Sequence, residues 1–315
     1  MLFSKAAQAA VASAFVGSLN KGSARTVAAE SDGPKSPPEA IAYPIAVFTK
    51  VFKTHSFLEL SDAIAEIGSE GVEMTVRSGG QIEPERAEQL IPDVVSALSK
   101  NDKRLLIAAT GITEVSKSSE KLLTVLRDNE VRYYRMGYYK YTKSSDSVSM
   151  LQQARNAGSK AKELAALNRE LGVVGLYQNH FGNDYVGSLL WDLTILMEGI
   201  DRQHMGVAFD LRHLRAELSG SFQAAIDAVR PHLRSVYLKD TIRQGKRGES
   251  LEDVPLGEGL VSRDLFREAL LAIQPAPISL HVEYFGQDPI PIEKIGPVIQ
   301  AYRHDLATLR NWMAS

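Results

Sequence analysis

Four short apolar runs end in residues that could do chemistry. Phe209-Asp210-Leu211-Arg212-His213 closes one, Tyr177-Gln178-Asn179-His180 another, Tyr237-Leu238-Lys239-Asp240 a third and His281-Val282-Glu283 a fourth. Carboxylates beside imidazoles can take and return protons, and a lysine or arginine among them can hold a developing negative charge. Strand side chains alternate, so residues two apart share a face. That pairs His281 with Glu283, Tyr237 with Lys239, Gln178 with His180, and Glu73 with Thr75 and Arg77; Asn179 is opposed unless its strand has ended. If these faces meet, the confined carboxylates must be balanced by a metal, by Lys or Arg, or by raised pKa values. The sequence offers all three.

Such residues act together only if the fold gathers them. From residue 43 onward, β-like and helix-like stretches alternate. Apolar runs lie at 45–49, 72–76, 105–109, 131–136, 173–177, 205–209, 235–238 and 278–282. Helical patterns separate them at 56–67, 84–98, 116–127, 148–171, 187–197, 222–229 and 263–273, and 293–312 closes the chain. In the first helix Phe57, Leu60, Ile64 and Ile67 have helical spacing, with Gly68 as the stop; Pro84 suits the first turn of the second. Eight βα units in order predict an α/β chain, a (β/α)₈ TIM barrel forming a single domain over 41–315. Polar groups ending successive strands would then stand at its catalytic mouth. A doubly wound open sheet has similar crossovers, but no Gly-x-Gly-x-x-Gly follows the first strand.

Composition bounds the partners. The chain has 315 residues, is 44% hydrophobic and carries 36 Lys and Arg against 38 Asp and Glu, a net charge of −2. That balance shows no bias toward nucleic acid or a membrane surface, and no apolar run approaches membrane-spanning length. The absence of cysteine excludes disulfides, thiolate metal sites and a cysteine nucleophile. Nothing signals a nucleotide cofactor, and a homo-oligomer is left open. Residues 1–40 read as a signal-like segment and linker. Lys5 precedes a small apolar stretch, Ser23-Ala24-Arg25 and Val27-Ala28-Ala29 offer small residues for cleavage, and a proline-rich linker follows. The expected location is periplasmic or secreted, with cytoplasmic as the alternative.

Several features have ordinary structural readings. His55, His204, His232 and His304 lie in helix or loop sequence without partners and are expected to be surface or hydrogen-bonded core groups. The tyrosines Tyr133, Tyr134, Tyr138, Tyr139 and Tyr141 read as core and rim, with a substrate platform as the alternative. Ser78-Gly79-Gly80 and Pro255-Leu256-Gly257-Glu258-Gly259 either present backbone N–H groups to a substrate or are turns that need positive φ.

Taken together, Gly71-Val72-Glu73-Met74-Thr75-Val76-Arg77-Ser78-Gly79-Gly80, Gln178-Asn179-His180, Phe209-Asp210 with His213, Leu238-Lys239-Asp240, Pro255 to Gly259 and His281-Val282-Glu283 resemble the sugar-phosphate isomerase/epimerase superfamily, the xylose-isomerase-like TIM barrels. Their order, each at its own barrel loop, carries the resemblance from Ile45 to the C-terminus. It implies a divalent metal (Mn²⁺, Mg²⁺, Co²⁺ or Zn²⁺) on a Glu-Asp-His-Glu set from strands five to eight. The metal would stabilise an enediolate while carboxylates move a proton beside a carbonyl. Asp210 matches the strand-six ligand, Glu283 the strand-eight ligand, and His213 the substrate-contacting His after the Asp. Gln178 and Tyr237 stand where Glu and His are expected.

The resemblance therefore implies a sugar or keto-sugar isomerase or epimerase acting on a small-molecule carbohydrate. Its catalytic candidates are Glu283, Lys239, His213 and His180, and its metal candidates Asp210, Glu283 and Gln178. Glu73, Arg77, Arg135, Asn179 and His281 are candidates for binding substrate. Three arrangements stay open: an altered metal site, a metal-free site in which Lys239 and Arg77 supply the positive charge, and a barrel that binds a sugar without turning it over. A metal-dependent hydrolase or lyase on the same barrel is a further alternative.

Overall fold

Short strands buried on both faces dominate the chain order: β1 (Ile45–Phe48), β2 (Gly71–Val76), β3 (Arg104–Thr110), β4 (Tyr133–Arg135), β5 (Val174–Gln178), β6 (Met205–Asp210), β7 (Leu233–Leu238), β8 (Asp240–Gln244), β9 (Ser250–Val254) and β10 (Ile278–Leu280). The computed structural model describes residues 43–142, 148–218, 220–245, 248, 250–286 and 289–314. The signal-like segment and linker expected at 1–40 lie outside them.

All the strands but β8 and β9 close into one parallel barrel in the order β1-β10-β7-β6-β5-β4-β3-β2. Almost every barrel-strand residue is buried, as a parallel sheet faced by helices requires. The helices are α1 (Phe57–Ile67), α2 (Ala87–Ser99), α3 (Lys117–Asp128), α4 (Met150–Leu171), α5 (Trp191–Leu196), α6 (Leu211–Glu217), α7 (Phe222–Val229), α8 (Arg263–Ala272) and α9 (Ile295–Ala314). This is the TIM barrel the alternation predicts. Ser56 caps α1 in a reciprocal box with Glu59, and Gly68 ends it at φ 90.

Two elements differ from the sequence pattern. The helix expected at 187–197 is only Trp191–Leu196, because Leu190 precedes it at φ 60, outside helical conformation. After β7 the chain forms an antiparallel hairpin, β8 with β9, instead of running straight to the next helix. The hairpin leans on α6. Arg212 makes two contacts to Asp253 at 2.8 and 2.9 Å, and Arg243 donates to the Ala216 carbonyl at 2.6 Å, near the end of α6. At the adjoining strands β10 and β1, Tyr302 of α9 donates to the Phe48 carbonyl at 2.7 Å and accepts from the Val282 N–H at 3.3 Å. That hydroxyl fixes the ends of β1 and β10, from which Phe48, His281 and Glu283 project.

Candidate functional site

The strand ends carry a closed circuit of side chains. On β2, Glu73 pairs its Oε1 with Arg135 Nε of β4 at 2.8 Å. Arg135 Nη1 donates to Gln178 Oε1 at 2.5 Å, and Gln178 Nε2 donates to Asp210 Oδ2 at 2.7 Å. Asp210 Oδ2 lies 3.6 Å from Lys239 Nζ, which donates to Glu283 Oε2 at 3.0 Å. Glu283 Oε1 is 3.5 Å from His281 Nδ1, and His281 Nε2 returns to Glu73 Oε2 at 3.3 Å. Each charge in this layer has an opposite charge or a donor beside it, which is what burial of so many ionisable groups demands.

The local sequence explains why each side chain points where it does. Asp210 is the N-cap of α6, and its Oδ1 accepts the His213 N–H at 2.9 Å. The Asp-x-x-His spacing is therefore a helix cap that sets His213 on the first turn beside its own cap. Asn179 braces this corner. Its Oδ1 accepts the Asp210 N–H at 2.7 Å, its Nδ2 donates to the Asp210 carbonyl at 3.1 Å, and its own carbonyl takes His213 Nδ1 at 2.9 Å. Because that carbonyl can only accept, Nδ1 carries the proton and Nε2 keeps a lone pair. His180 is fixed alike, with Nδ1 donating to the Phe181 carbonyl at 2.8 Å. The two imidazoles lie with ring centroids 4.3 Å apart, and Tyr138 stands edge-on to His180 at 5.1 Å.

The circuit borders a pocket of about 380 Å³, lined by Arg77, Arg135, Tyr138, Gln178, His180, His213, Lys239, His281 and Glu283, and by Phe48, Lys50, Phe181 and Arg212. Burial would push the Asp210 carboxyl up, but His213 and Lys239 bring it down to about 2. Glu283 follows the same pattern: burial raises it, and the Lys239 ammonium, with His281, outweighs that and holds it well below the usual range. Burial would lower Lys239, yet Asp210 and Glu283 keep it above its ordinary value, so it is an ammonium at neutral pH. For His213 burial wins despite Asp210, and its pKa falls well below the ordinary value; His180 is lowered by burial too. Lys239 is thus an ammonium between two carboxylates, Asp210 and Glu283, with the neutral imidazoles of His213 and His180 in the same lining.

Most of the residues singled out by sequence come together here, with three changes of role. Glu73 has no exposed surface; its Oε1 faces Arg135 and its Oε2 accepts the Ser279 hydroxyl, so it is the counterion of Arg135 rather than a substrate contact. Asn179 is the corner brace just described and does not line the pocket. Gln178 turns its oxygen to Arg135 and to the Tyr138 hydroxyl, at 2.5 Å each, and only its NH₂ toward Asp210. His55, His204, His232 and His304 lie elsewhere than in the pocket lining. Phe48, Lys50, Phe181 and Arg212 line the pocket but are not among the sequence candidates, and Tyr138 enters it through the alternative reading of the tyrosine group. The tyrosine-rich run pointed to Tyr138, while Phe48 and Phe181 carry no signal beyond adjoining the strand ends. Neither glycine loop presents its N–H groups to the pocket: Gly79 donates to Glu83, and Gly257 and Gly259 donate to Asp240.

The metal set implied by the resemblance does not fit these residues. The Lys239 ammonium faces both matched carboxylates, Asp210 and Glu283. The Gln178 oxygen is committed to other donors. Tyr237 is wholly buried, its ring 5.4 Å from the His281 ring. Among the described residues no group of three or more His, Cys, Asp or Glu is arranged to hold an ion.

Residues 61–312 match the family described as the xylose isomerase-like TIM barrel. No curated protein matches the sequence. Among solved structures, the chain is similar to the 3-keto-D-glucoside 4-epimerase YcjR from E. coli, at 19% identity and TM-score 0.60, over 86% of this chain and 100% of that one. It is similar to a D-psicose 3-epimerase from Clostridium cellulolyticum H10 at 12% identity and TM-score 0.63, over 86% of this chain and 99% of that one. A xylose isomerase-like TIM-barrel protein from Mycobacterium smegmatis, solved in complex with magnesium, aligns at 15% identity and TM-score 0.61, over 87% of this chain and 97% of that one.

Proposed function

Because the chain belongs to the xylose isomerase-like TIM-barrel family, we propose that it moves a proton at a carbon beside the carbonyl of a sugar or keto-sugar, as an epimerase or isomerase. The observation that carries this reading is the placing of Lys239, 3.0 Å from Glu283 on one flank and 3.6 Å from the Asp210 that caps the His213 helix on the other. A substrate oxygen resting on the ammonium would bring its neighbouring carbon between Glu283 and the lone pair of His213. One of these takes the proton, the electron pair moves to the carbonyl oxygen, and Lys239 stabilises the enediolate by donating to it. Return of a proton from the other flank inverts the centre. Return of a proton to the former carbonyl carbon, with the hydroxyl proton leaving, interconverts aldose and ketose. As Lys239 turns to the oxyanion, Glu283 loses its counter-charge and becomes a better base.

His180 and Tyr138 offer ring faces and polar tips for hydroxyls, and Arg77 adds a cation at the rim. The named activities of the structural neighbours, epimerisation of a 3-keto-glucoside and of a ketohexose, are consistent with this chemistry. No step here runs through a metal. The test is deuterium exchange: 3-keto-glucosides and free ketohexoses are incubated with the protein in D₂O, and the proton beside the carbonyl is followed by NMR. Enzyme-dependent exchange supports the reading. Saturable sugar binding without exchange would make the barrel a binding protein and overturn it.

A further inference from the structure

A lysine ammonium placed between two converging carboxylates is a cation site already filled by the chain. Lys239 leaves the end of β7, and Asp210 and Glu283 approach it from β6 and from just beyond β10, its neighbours in the barrel order. These two carboxylates occupy the positions matched to metal ligands. Divalent ions bind carboxylate oxygens at about 2.0–2.6 Å. An ion shared by Asp210 and Glu283 would stand in the space that Nζ holds and would meet its charge at contact distance.

The surroundings close the other routes. Gln178 would have to rotate its amide to offer an oxygen, which would set its NH₂ against the Arg135 guanidinium. Tyr237 is wholly buried, with its ring beside His281 and the Arg135 guanidinium. Lys239 is 7% exposed, so its stem is packed and its head cannot swing freely into solvent. An ammonium has three donors, and Glu283 takes only one at hydrogen-bond distance. Donors therefore remain for a substrate oxygen.

We propose that Lys239 is the resident cation of this site: its ammonium balances Asp210 and Glu283, supplies the electrophile that a divalent metal would supply, and excludes such a metal while it stands. The electrophile part rests on the proton-transfer reading; the exclusion part does not.

The test is Mn²⁺ binding, read from the loss of the free-ion electron paramagnetic signal, on the full chain and on Lys239→Ala, Lys239→Met and Lys239→Ala/Glu283→Gln. The full chain is expected to show no saturable site at millimolar Mn²⁺. Lys239→Ala should gain one site roughly a hundredfold tighter than anything in the parent, and removal of Glu283 should abolish it. Lys239→Met, which fills the space with an uncharged stem, should not bind. If Lys239→Ala is too unstable to purify alone, addition of Mn²⁺ or ethylammonium during refolding should recover it. Tight Mn²⁺ binding by the unmodified chain would overturn the proposal, as would a Lys239→Ala protein that gains no site or is recovered by neither cation. These measurements read occupancy alone, so an unmodified chain that lacks deuterium exchange but passes them would defeat the proton-transfer reading and leave the exclusion of metal intact.

Discussion

Arg135 donates to the amide oxygen of Gln178 at 2.5 Å, and this contact sets which way the amide faces. With the oxygen held by the guanidinium, the NH₂ must point at Asp210, which accepts it at 2.7 Å. A carboxylate at 178 would keep the Arg135 partner but press an oxygen against Asp210. One of the two acids would then hold a proton at pH values where isolated carboxyls have lost theirs. A carboxyl whose folded pKa is raised costs stability as the pH climbs past its unfolded value of about 4.3. Gln178→Glu should therefore be less stable than the parent by about 1–3 kcal/mol at pH 8, with the gap narrowing toward pH 5. Urea melts at the two pH values check this; a gap that does not change with pH would show that the amide's orientation is not what matters.

Asp210 gives the acid limb of the stability curve a predictable part. Its folded pKa is lowered from 3.8 to about 2. The stabilisation is fully present above the unfolded value and is lost as the pH falls through the folded one, between about 4 and 2. The expected loss is on the order of 2 kcal/mol. Asp210→Asn should start less stable at neutral pH, because it gives up the charge facing Lys239, and should show a shallower fall across that window. A parallel fall in both proteins, followed by circular dichroism, would assign the acid limb to other groups.

The barrel was legible because its signal is repeated. Runs such as Val72 to Val76 and Met205 to Phe209 are buried on both faces, and burial writes apolar residues into consecutive positions. The convergence of Asp210, Lys239, His281 and Glu283 was legible for a related reason: alternation within each strand aims residues two apart at the same mouth. What was not legible depends on partners distant in sequence. Nothing near Glu73 says that Arg135 neutralises it, and nothing near Gln178 says which end of its amide is free. The hairpin after β7 escaped because its strands are mostly polar, so Thr241 to Gln244 lacks the apolar alternation that marks a half-buried strand.

The glycine loop after the hairpin owes its shape to Asp240. That carboxylate accepts the N–H groups of Thr241, Gly257, Gly259 and Val261 at 2.8–3.0 Å. A Cβ on Gly259 would lie 2.4 Å from the Thr241 carbonyl oxygen and 2.5 Å from Asp240 Oδ1. Gly259→Ala should thus cost about 1–3 kcal/mol through the loop rather than through the pocket. Hydrogen exchange should show lost protection at Gly257 and Val261 while the amides of β2 and β6 stay protected. Unchanged protection at Val261 would mean that the loop absorbs the methyl without releasing Asp240.

Glu283 and His213 are the sharpest test of the proposed chemistry, because they flank Lys239 from different strands. Glu283 keeps about a third of its side chain exposed to the pocket. His213 is neutral, with Nε2 unprotonated, at any pH above its lowered pKa. Two bases on two flanks make different predictions from one base serving both. Glu283→Gln should lower net epimerisation by about 10²–10⁴-fold yet still exchange deuterium into the epimer whose hydrogen faces His213. His213→Asn should lose turnover to a similar degree and exchange the other epimer only. Because the His213 pKa sits below 6.5, the parent's activity should hold as the pH falls through 6, and its acid limb should disappear in His213→Asn. Proton NMR of each epimer in D₂O reads both effects at once, and loss of exchange from both epimers in either single variant would rule out a base on each flank.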